Sequence, residues 1–225
     1  MGADKDKLLQ IVARRPLLAH SLLAFDRCDT VDEIILVVRE DRQDSFKTLA
    51  SEHGVSKLVH IVPGGLERQD SVWRGLQALS AFSEIVLIHD GARPCVTSRI
   101  ITRCVEVARL KGAAIPASRV KDTIKKVTAA AEPHEDGTIF RIDATLNRSE
   151  LWAAQTPQTF RVELIRRAYE PLIQKGIIVT DDAAAVERLG QASWIVESDP
   201  LNIKITTPED LLLADTVLCG RSGGG

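Results

Sequence analysis

The residues best suited to chemistry fall together in His89-Asp90-Gly91-Ala92-Arg93-Pro94. A carboxylate is a hard oxygen ligand that can hold Mg²⁺ when phosphate oxygens complete the shell. A guanidinium three residues on offers a planar fork to a phosphate. The stretch follows Ile85-Val86-Leu87-Ile88, a short branched apolar run that reads as a strand buried on both faces. Open α/β sheets bind ligands in the crevice beyond the carboxyl ends of their strands, so Asp90 and Arg93 are expected there. The simpler alternative is a surface ion pair between the two. His89 reads as a structural hydrogen-bonder rather than a base.

A second candidate is Gly64-Gly65-Leu66-Glu67-Arg68-Gln69-Asp70-Ser71-Val72, which follows one apolar run and opens a helical one. Two glycines let a backbone approach a ligand closely, and Ser71 can bond to a base or ribose. An ordinary strand-to-helix turn explains the same composition. Thr156-Pro157-Gln158 reads only as a polar loop, Thr180-Asp181-Asp182 as a helix cap, and Lys204 as a solvent-facing lysine in a short strand. Trp73, Trp152 and Trp194 read as packing residues rather than stacking platforms.

These groups need a scaffold, and the apolar pattern supplies one. Helices are expected over Pro16 to Phe25, Gln43 to His53, Glu67 to Ser80, and from Thr97-Ser98 to about Leu110. Strands are expected at Glu33 to Val38, Leu58 to Val62, Ile85 to Ile88 and Ala113 to Ala117. The alternation implies an α/β doubly wound, mostly parallel sheet with right-handed crossovers. From Val120 to Arg148 the chain turns polar, with β-like pieces at Asp122 to Val127 and Thr138 to Ile142 around a long tip. An isolated hairpin is marginal in water, so this arm is expected to pack on a second subunit. Helices at Val162 to Lys175 and Asp181 to Leu189, strands at Ser193 to Val196 and Asn202 to Thr206, and a last helix opened by Thr207-Pro208-Glu209-Asp210 complete the pattern. No strand or glycine cluster precedes the first helix, where a doubly wound sheet normally carries its phosphate loop.

The totals narrow the function classes. The chain has 225 residues, 44% hydrophobic and 27% charged, with a net charge of −2. That argues against general nucleic-acid affinity. No apolar run reaches the roughly 20 residues of a membrane span, and no signal peptide is visible. Cys28, Cys95, Cys104 and Cys219 form no C-x-x-C pair and read as reduced thiols of a cytoplasmic protein. No G-x-G-x-x-G follows any strand, which disfavours a dinucleotide-dependent oxidoreductase.

Taken in order, the motifs resemble the 2-C-methyl-D-erythritol 4-phosphate cytidylyltransferase family. They are Lys7, Pro16-Leu17-Leu18-Ala19-His20-Ser21, Gly64-Gly65-x-x-Arg68-x-x-Ser71-Val72, His89-Asp90-x-Ala92-Arg93-Pro94, Lys121-Asp122-Thr123-Ile124-Lys125, Asn147-Arg148-x-x-Leu151-Trp152, Thr156-Pro157-Gln158, Thr180-Asp181-Asp182 and Asn202-Ile203-Lys204-Ile205-Thr206. They span the chain from Lys7 to about Asp215. The resemblance implies a Rossmann-like, nucleotide-diphospho-sugar transferase-like fold, one domain over 1–225 with a protruding dimerisation hairpin at about 118–149. It implies transfer of CMP from CTP to the polyol phosphate, with Mg²⁺. Lys7 and Lys204 match the family's catalytic lysines, and Gly64, Gly65, Ser71 and Gly91 its nucleotide-binding positions. Asp90 matches its metal-associated carboxylate, and Asp90, Arg93, Thr123, Arg148, Thr156 and Thr180 match positions around the substrate. In the family the arm crosses to the other subunit of a homodimer, so Thr123 and Arg148 would serve a neighbour's site.

The departures are specific. Family chains begin with a strand and an Ala-Ala-Gly-x-G/S-x-Arg-Met loop that holds the triphosphate, and this sequence starts at what matches that methionine, Met1. The expectation is an internal or shortened start; without that strand and loop, apolar surface would be left open and turnover would be weak. The tip at 129–137 is longer than usual. Two other functions stay open: a ribitol-5-phosphate cytidylyltransferase, and a non-catalytic dimeric binding protein.

Overall fold

The computed structural model describes residues 7–135 and 137–222. The expectation about Met1 lies outside these residues. A tight hairpin of β1 (Ile11–Val12) and β2 (Arg15–Pro16) leads into α1 (Leu17–Asp26). Then come β3 (Ile34–Val38), α2 (Gln43–Glu52), β4 (Leu58–Pro63), α3 (Arg68–Gln77) and β5 (Ile85–Ile88). After them run α4 (Ser98–Lys111), β6 (Ala113–Arg119), β7 (Lys125–His134), β8 (Gly137–Thr145), β9 (Trp152–Ala154) and β10 (Gln158–Arg161). The chain closes with α5 (Val162–Lys175), α6 (Asp182–Arg188), β11 (Trp194–Glu197) and α7 (Pro208–Ser222).

Local chemistry accounts for the ends of these elements. Proline at the end of β2 presets the dihedral for α1 without wasting an amide donor. Thr97 caps α4 by accepting from the Ile100 amide, and Gly112 at φ 94° ends it, a conformation open to glycine but not to a branched residue. No helix of the described residues is long and apolar enough to cross a membrane.

The main sheet has the order β11–β6–β10–β5, with β9 pairing antiparallel to the far end of β6. β11 runs parallel to β6, while β10 is antiparallel to both β6 and β5, so β5 and β6 run the same way. The sheet is covered on both faces, as a doubly wound α/β fold requires. Period two along each strand sends alternate residues to opposite cores. On β6, Ala114 joins Ile101, Cys104 and Phe25 on one side, while Ala113 joins Phe160, Ile165 and Tyr169 on the other. On β5, Ile85 and Leu87 pack toward the first core and Val86 and Ile88 toward the second. The strand packs on both faces as expected, although its four side chains are only partly buried.

β3 and β4 form a separate parallel pair. Among the described residues no strand pairs with the edge of β3 or of β5 that faces the other. Between them lies a cavity of about 660 Å³ whose lining includes Leu18, Leu22, Ile35, Val37, Val86 and Ile88.

Three expectations need correction. Asn202 to Thr206 is not a strand; it lies across the end of β5 in irregular conformation, tied by one backbone bond from the Ile205 amide to the Ala92 carbonyl (2.8 Å). Polar Thr156-Pro157-Gln158 is not merely a loop, because Gln158 begins β10 in the interior of the sheet. The long tip of the arm is mostly strand: β7 pairs with β8 from Lys125 to His134, with register shifts near Val127. Asp136 lies outside the described residues.

Candidate active site

β5 ends at Ile88, and the next residues carry the site. His89 is partly buried and bonded through both ring nitrogens. The Arg93 carbonyl can only accept, so His89 Nε2 donates to it (3.2 Å) and Nδ1 accepts from the Thr156 hydroxyl (2.9 Å). The same hydroxyl accepts from the Asp90 amide (3.1 Å). Burial pushes the His89 pKa down to about 4, so the ring is neutral near pH 7 and serves to orient its neighbours.

Asp90 is the hub. Its Oδ2 lies 3.1 Å from Lys204 Nζ and 3.5 Å from Arg93 Nε, and its Oδ1 lies 3.5 Å from Arg68 Nε. Burial alone would raise the carboxyl pKa; Lys204, Arg68 and Arg93 outweigh it and hold Asp90 below the usual carboxylate value. Arg93 donates through Nη1 to the Asn202 carbonyl (2.8 Å), which fixes its fork. Its Nε is buried and, among the described residues, makes no hydrogen bond, and burial lowers the guanidinium pKa. A buried guanidinium N–H left without a bond beside a carboxylate is the kind of donor an anionic ligand satisfies.

The segment carrying Lys204 is strapped over this end of the sheet. Asn202 is 2% exposed and its amide donates to the Thr156 carbonyl (2.9 Å) and the Gln155 side chain (3.2 Å). Lys7 reaches the same strap, donating to the Ile205 carbonyl (3.2 Å), one residue from Lys204. Of the two lysines expected to act in catalysis, Lys204 pairs with Asp90, and Lys7 holds the backbone of the strap that carries it.

The glycine turn forms the facing wall. A Cβ on Gly65 would come within 2.1 Å of Asp70 Cβ, and one on Gly64 within 2.9 Å of Ser71 Oγ. The turn closes on itself, with the Gly65 amide donating to Ser71 Oγ (3.0 Å). Gly91 is packed against Leu18, its carbonyl accepting from Ser21 Oγ (2.9 Å).

The remaining expected residues are placed differently. Thr156 is buried with its hydroxyl engaged by His89 and Asp90. Thr180 is exposed just before Asp181, the cap of α6. Thr123 and Arg148 are exposed at the foot of the hairpin, where Arg148 donates to the Lys121 carbonyl (3.0 Å). No described contact joins either to Asp90.

The sequence assigned no role to Arg68, Asp182 or Tyr169. Arg68 donates both terminal nitrogens to Asp182 (3.0 and 2.7 Å), and Tyr169 donates its hydroxyl to the same carboxylate. Burial opposes the charge on Arg68, but Asp182 outweighs it and raises the guanidinium pKa, while burial and Asp182 raise that of Tyr169. Three cations (Arg68, Arg93 and Lys204) and two carboxylates (Asp90 and Asp182) leave a net positive crevice. That sign suits a polyphosphate. The available signal was Arg68 inside its glycine motif and a second acid after Asp181.

The profile of 2-C-methyl-D-erythritol 4-phosphate cytidylyltransferase matches residues 1–220. The chain is 46% identical over 221 residues to the enzyme of that name from Geobacillus thermodenitrificans, covering 98% of this chain and 92% of the relative. It is 43% identical over 218 residues to the one from Bacillus cytotoxicus, covering 97% and 92%. The crystal structure of 4-diphosphocytidyl-2C-methyl-D-erythritol synthase from Anaerococcus prevotii superposes with a TM-score of 0.81 at 33% identity, over 93% of this chain and 88% of that one. The Thermus thermophilus cytidylyltransferase gives a TM-score of 0.74 at 31% identity, over 95% and 94%. With the carboxylate hub and glycine turn at the motif positions, and with likeness over nearly the whole length, the chain belongs to the 2-C-methyl-D-erythritol 4-phosphate cytidylyltransferase family.

Proposed function

We propose that the protein transfers CMP from CTP to 2-C-methyl-D-erythritol 4-phosphate, giving 4-diphosphocytidyl-2-C-methyl-D-erythritol and pyrophosphate. The observation that carries this reading is the Asp90 carboxylate ringed by Lys204, Arg93 and Arg68 at the end of β5. An oxygen of the substrate phosphate attacks the α-phosphorus of CTP. A new P–O bond forms as the bond to the bridging α,β-oxygen breaks, and pyrophosphate leaves with that electron pair. Such a reaction asks the protein mainly for positioning and charge stabilisation.

Lys204 and Lys7 are the catalytic cations. Each stabilises the transition state by a few kcal/mol, on the scale of about 2.7–4 kcal/mol for one preorganised donor. Gly64, Gly65, Ser71 and Gly91 bind the nucleotide, the glycines by letting the backbone approach it. Arg93, Thr156 and Thr180 hold the polyol phosphate together with Asp90. Among the described residues no group of three metal-ligating side chains exists, so a divalent ion would depend on phosphate oxygens. One carboxylate plus substrate phosphates is how Mg²⁺ is commonly held, and Asp90 fits that part. The ion would neutralise triphosphate charge.

We assign the protein to the cytoplasm as a homodimer of single-domain subunits joined through the β7–β8 arm. In support, Val127, Ile139, Phe140 and Ile142 are exposed on the arm, more apolar surface than a free two-stranded hairpin keeps in water. Thr123 and Arg148 at its foot would then complete the partner's substrate site.

The test is pyrophosphate release with CTP, Mg²⁺ and either 2-C-methyl-D-erythritol 4-phosphate or ribitol 5-phosphate. Release with the first alone is expected. Release only with ribitol 5-phosphate would replace the proposed acceptor, and CTP binding without any release would favour a non-catalytic binding protein.

A further inference from the structure

Arg68 stands between two carboxylates, and the fully buried one holds its fork. Asp182, with no exposed side-chain area, takes Nη1 and Nη2 at 3.0 and 2.7 Å, which is the bidentate geometry a guanidinium prefers. Asp90 is left with Nε alone at 3.5 Å, an ion-pair distance rather than a hydrogen bond. Asp182 is itself fixed from behind. The Tyr169 hydroxyl donates to it, and the Tyr169 ring lies parallel to Trp73 at 6.4 Å. A chain of contacts thus runs from Trp73 through the buried Tyr169 and Asp182 to Arg68 and the hub of the crevice.

We propose that Asp182 is a positioning residue that acts on the reaction through Arg68. By occupying both terminal nitrogens it stops the Arg68 fork from closing on Asp90. The Asp90 carboxylate is then oriented by Nε yet keeps lone pairs for what binds in the crevice. Without Asp182 the fork has one carboxylate left within reach, and pairs with it bidentately. The inference rests on the cytidylyltransferase reading above.

The consequence is a distinctive pattern of coupling between two substitutions. In the full-length protein, Asp182→Asn is expected to lower kcat by about 10- to 100-fold, the usual effect of losing a residue that orients a ligand-bearing group. The KM for CTP should change far less. Adding Arg68→Ala to Asp182→Asn removes the group that captures Asp90, so the double variant should turn over faster than Asp182→Asn alone. A merely structural role predicts a lowered melting temperature with unchanged kcat of the folded fraction, and a double variant no better than the single. Either of those results overturns the proposal. Tyr169→Phe keeps the buried ring and provides the milder variant should Asp182→Asn fail to fold; it should lower kcat with little change in KM, and unchanged kcat would count against the chain of contacts. Wild-type protein that forms no product from either polyol phosphate would instead refute the functional reading on which the proposal stands.

Discussion

Replacing Asp90 with asparagine tests the hub most directly, because the change keeps the shape and removes only the charge. Breaking a buried ion pair typically costs about 3–5 kcal/mol, because a charge is left stranded. Here the stranded set is uneven. The Arg93 side chain is only 12% exposed, but those of Arg68 and Lys204 are 39% and 43% exposed and can turn toward water. Arg68 also keeps Asp182. One buried cation rather than three therefore loses its partner, and the expected cost falls to about 2 kcal/mol. For a chain of this size that lowers the melting temperature by about 4–8 °C. Turnover should fall further in relative terms, by about 10²–10³, the scale for removing one preorganised charge-handling group. The acid limb of stability should change as well. The folded pKa of Asp90 is depressed, so its stabilisation is present above the unfolded value of 3.8 and is lost as pH falls through the lower folded value. Asp90→Asn removes that contribution. Pyrophosphate release at saturating CTP, paired with thermal melts at pH 7 and pH 3, measures both consequences. An unchanged kcat would refute the placement of Asp90 at the reacting centre, and an unchanged melting temperature at pH 7 would refute the electrostatic account.

Other expectations are simpler to state. His89 has a folded pKa of about 4 against 6.5 unfolded, so the unfolded chain binds its proton first as pH falls. Stability should therefore drop by about 3 kcal/mol between pH 7 and pH 4, and urea midpoints for His89→Gln should show a shallower decline. Gly65→Ala places a Cβ within 2.1 Å of Asp70 Cβ and must displace the turn, so calorimetry should show weakened CTP binding with little change in affinity for the polyol phosphate. Thr156→Val strands the Asp90 amide and His89 Nδ1, a loss of about 1–3 kcal/mol for each unsatisfied group, read as a lower urea midpoint; unchanged stability would show that the two are not held as described.

What the sequence made legible is what local chemistry decides. β5 followed by an acid, the glycine turn before α3, and Thr97 capping α4 each follow from neighbours within a few residues, and each is where the pattern placed it. β10 was hidden because its core-facing polar groups are satisfied from far along the chain. Gln158, 2% exposed, donates to Asp181 and accepts from the Ala183 amide, so a polar side chain occupies the interior without penalty. Asn202 to Thr206 misled in the opposite sense. Ile203 and Ile205 alternate as in a strand, yet Ile205 fills a core with Leu17 and Ala92 while Asn202 is spent on Thr156 and Gln155.

The same distinction explains the site. The sequence identifies groups able to handle phosphate, but which carboxylate holds which arginine depends on pairs far apart in the chain, such as Arg68 with Asp182. Those pairings decide what each residue can do. Arg93 is oriented through the Asn202 carbonyl, Thr156 is engaged before any substrate arrives, and Arg68 has a single nitrogen toward Asp90. One wall of the crevice is thus locked by bonds among β5, the start of β10 and the strap carrying Lys204. The other wall opens into the apolar cleft between β3 and β5, whose facing edges pair with no strand among the described residues. Rigidity and charge are concentrated on the locked side, where Lys204 pairs with Asp90 and Lys7 holds the Ile205 carbonyl beside it.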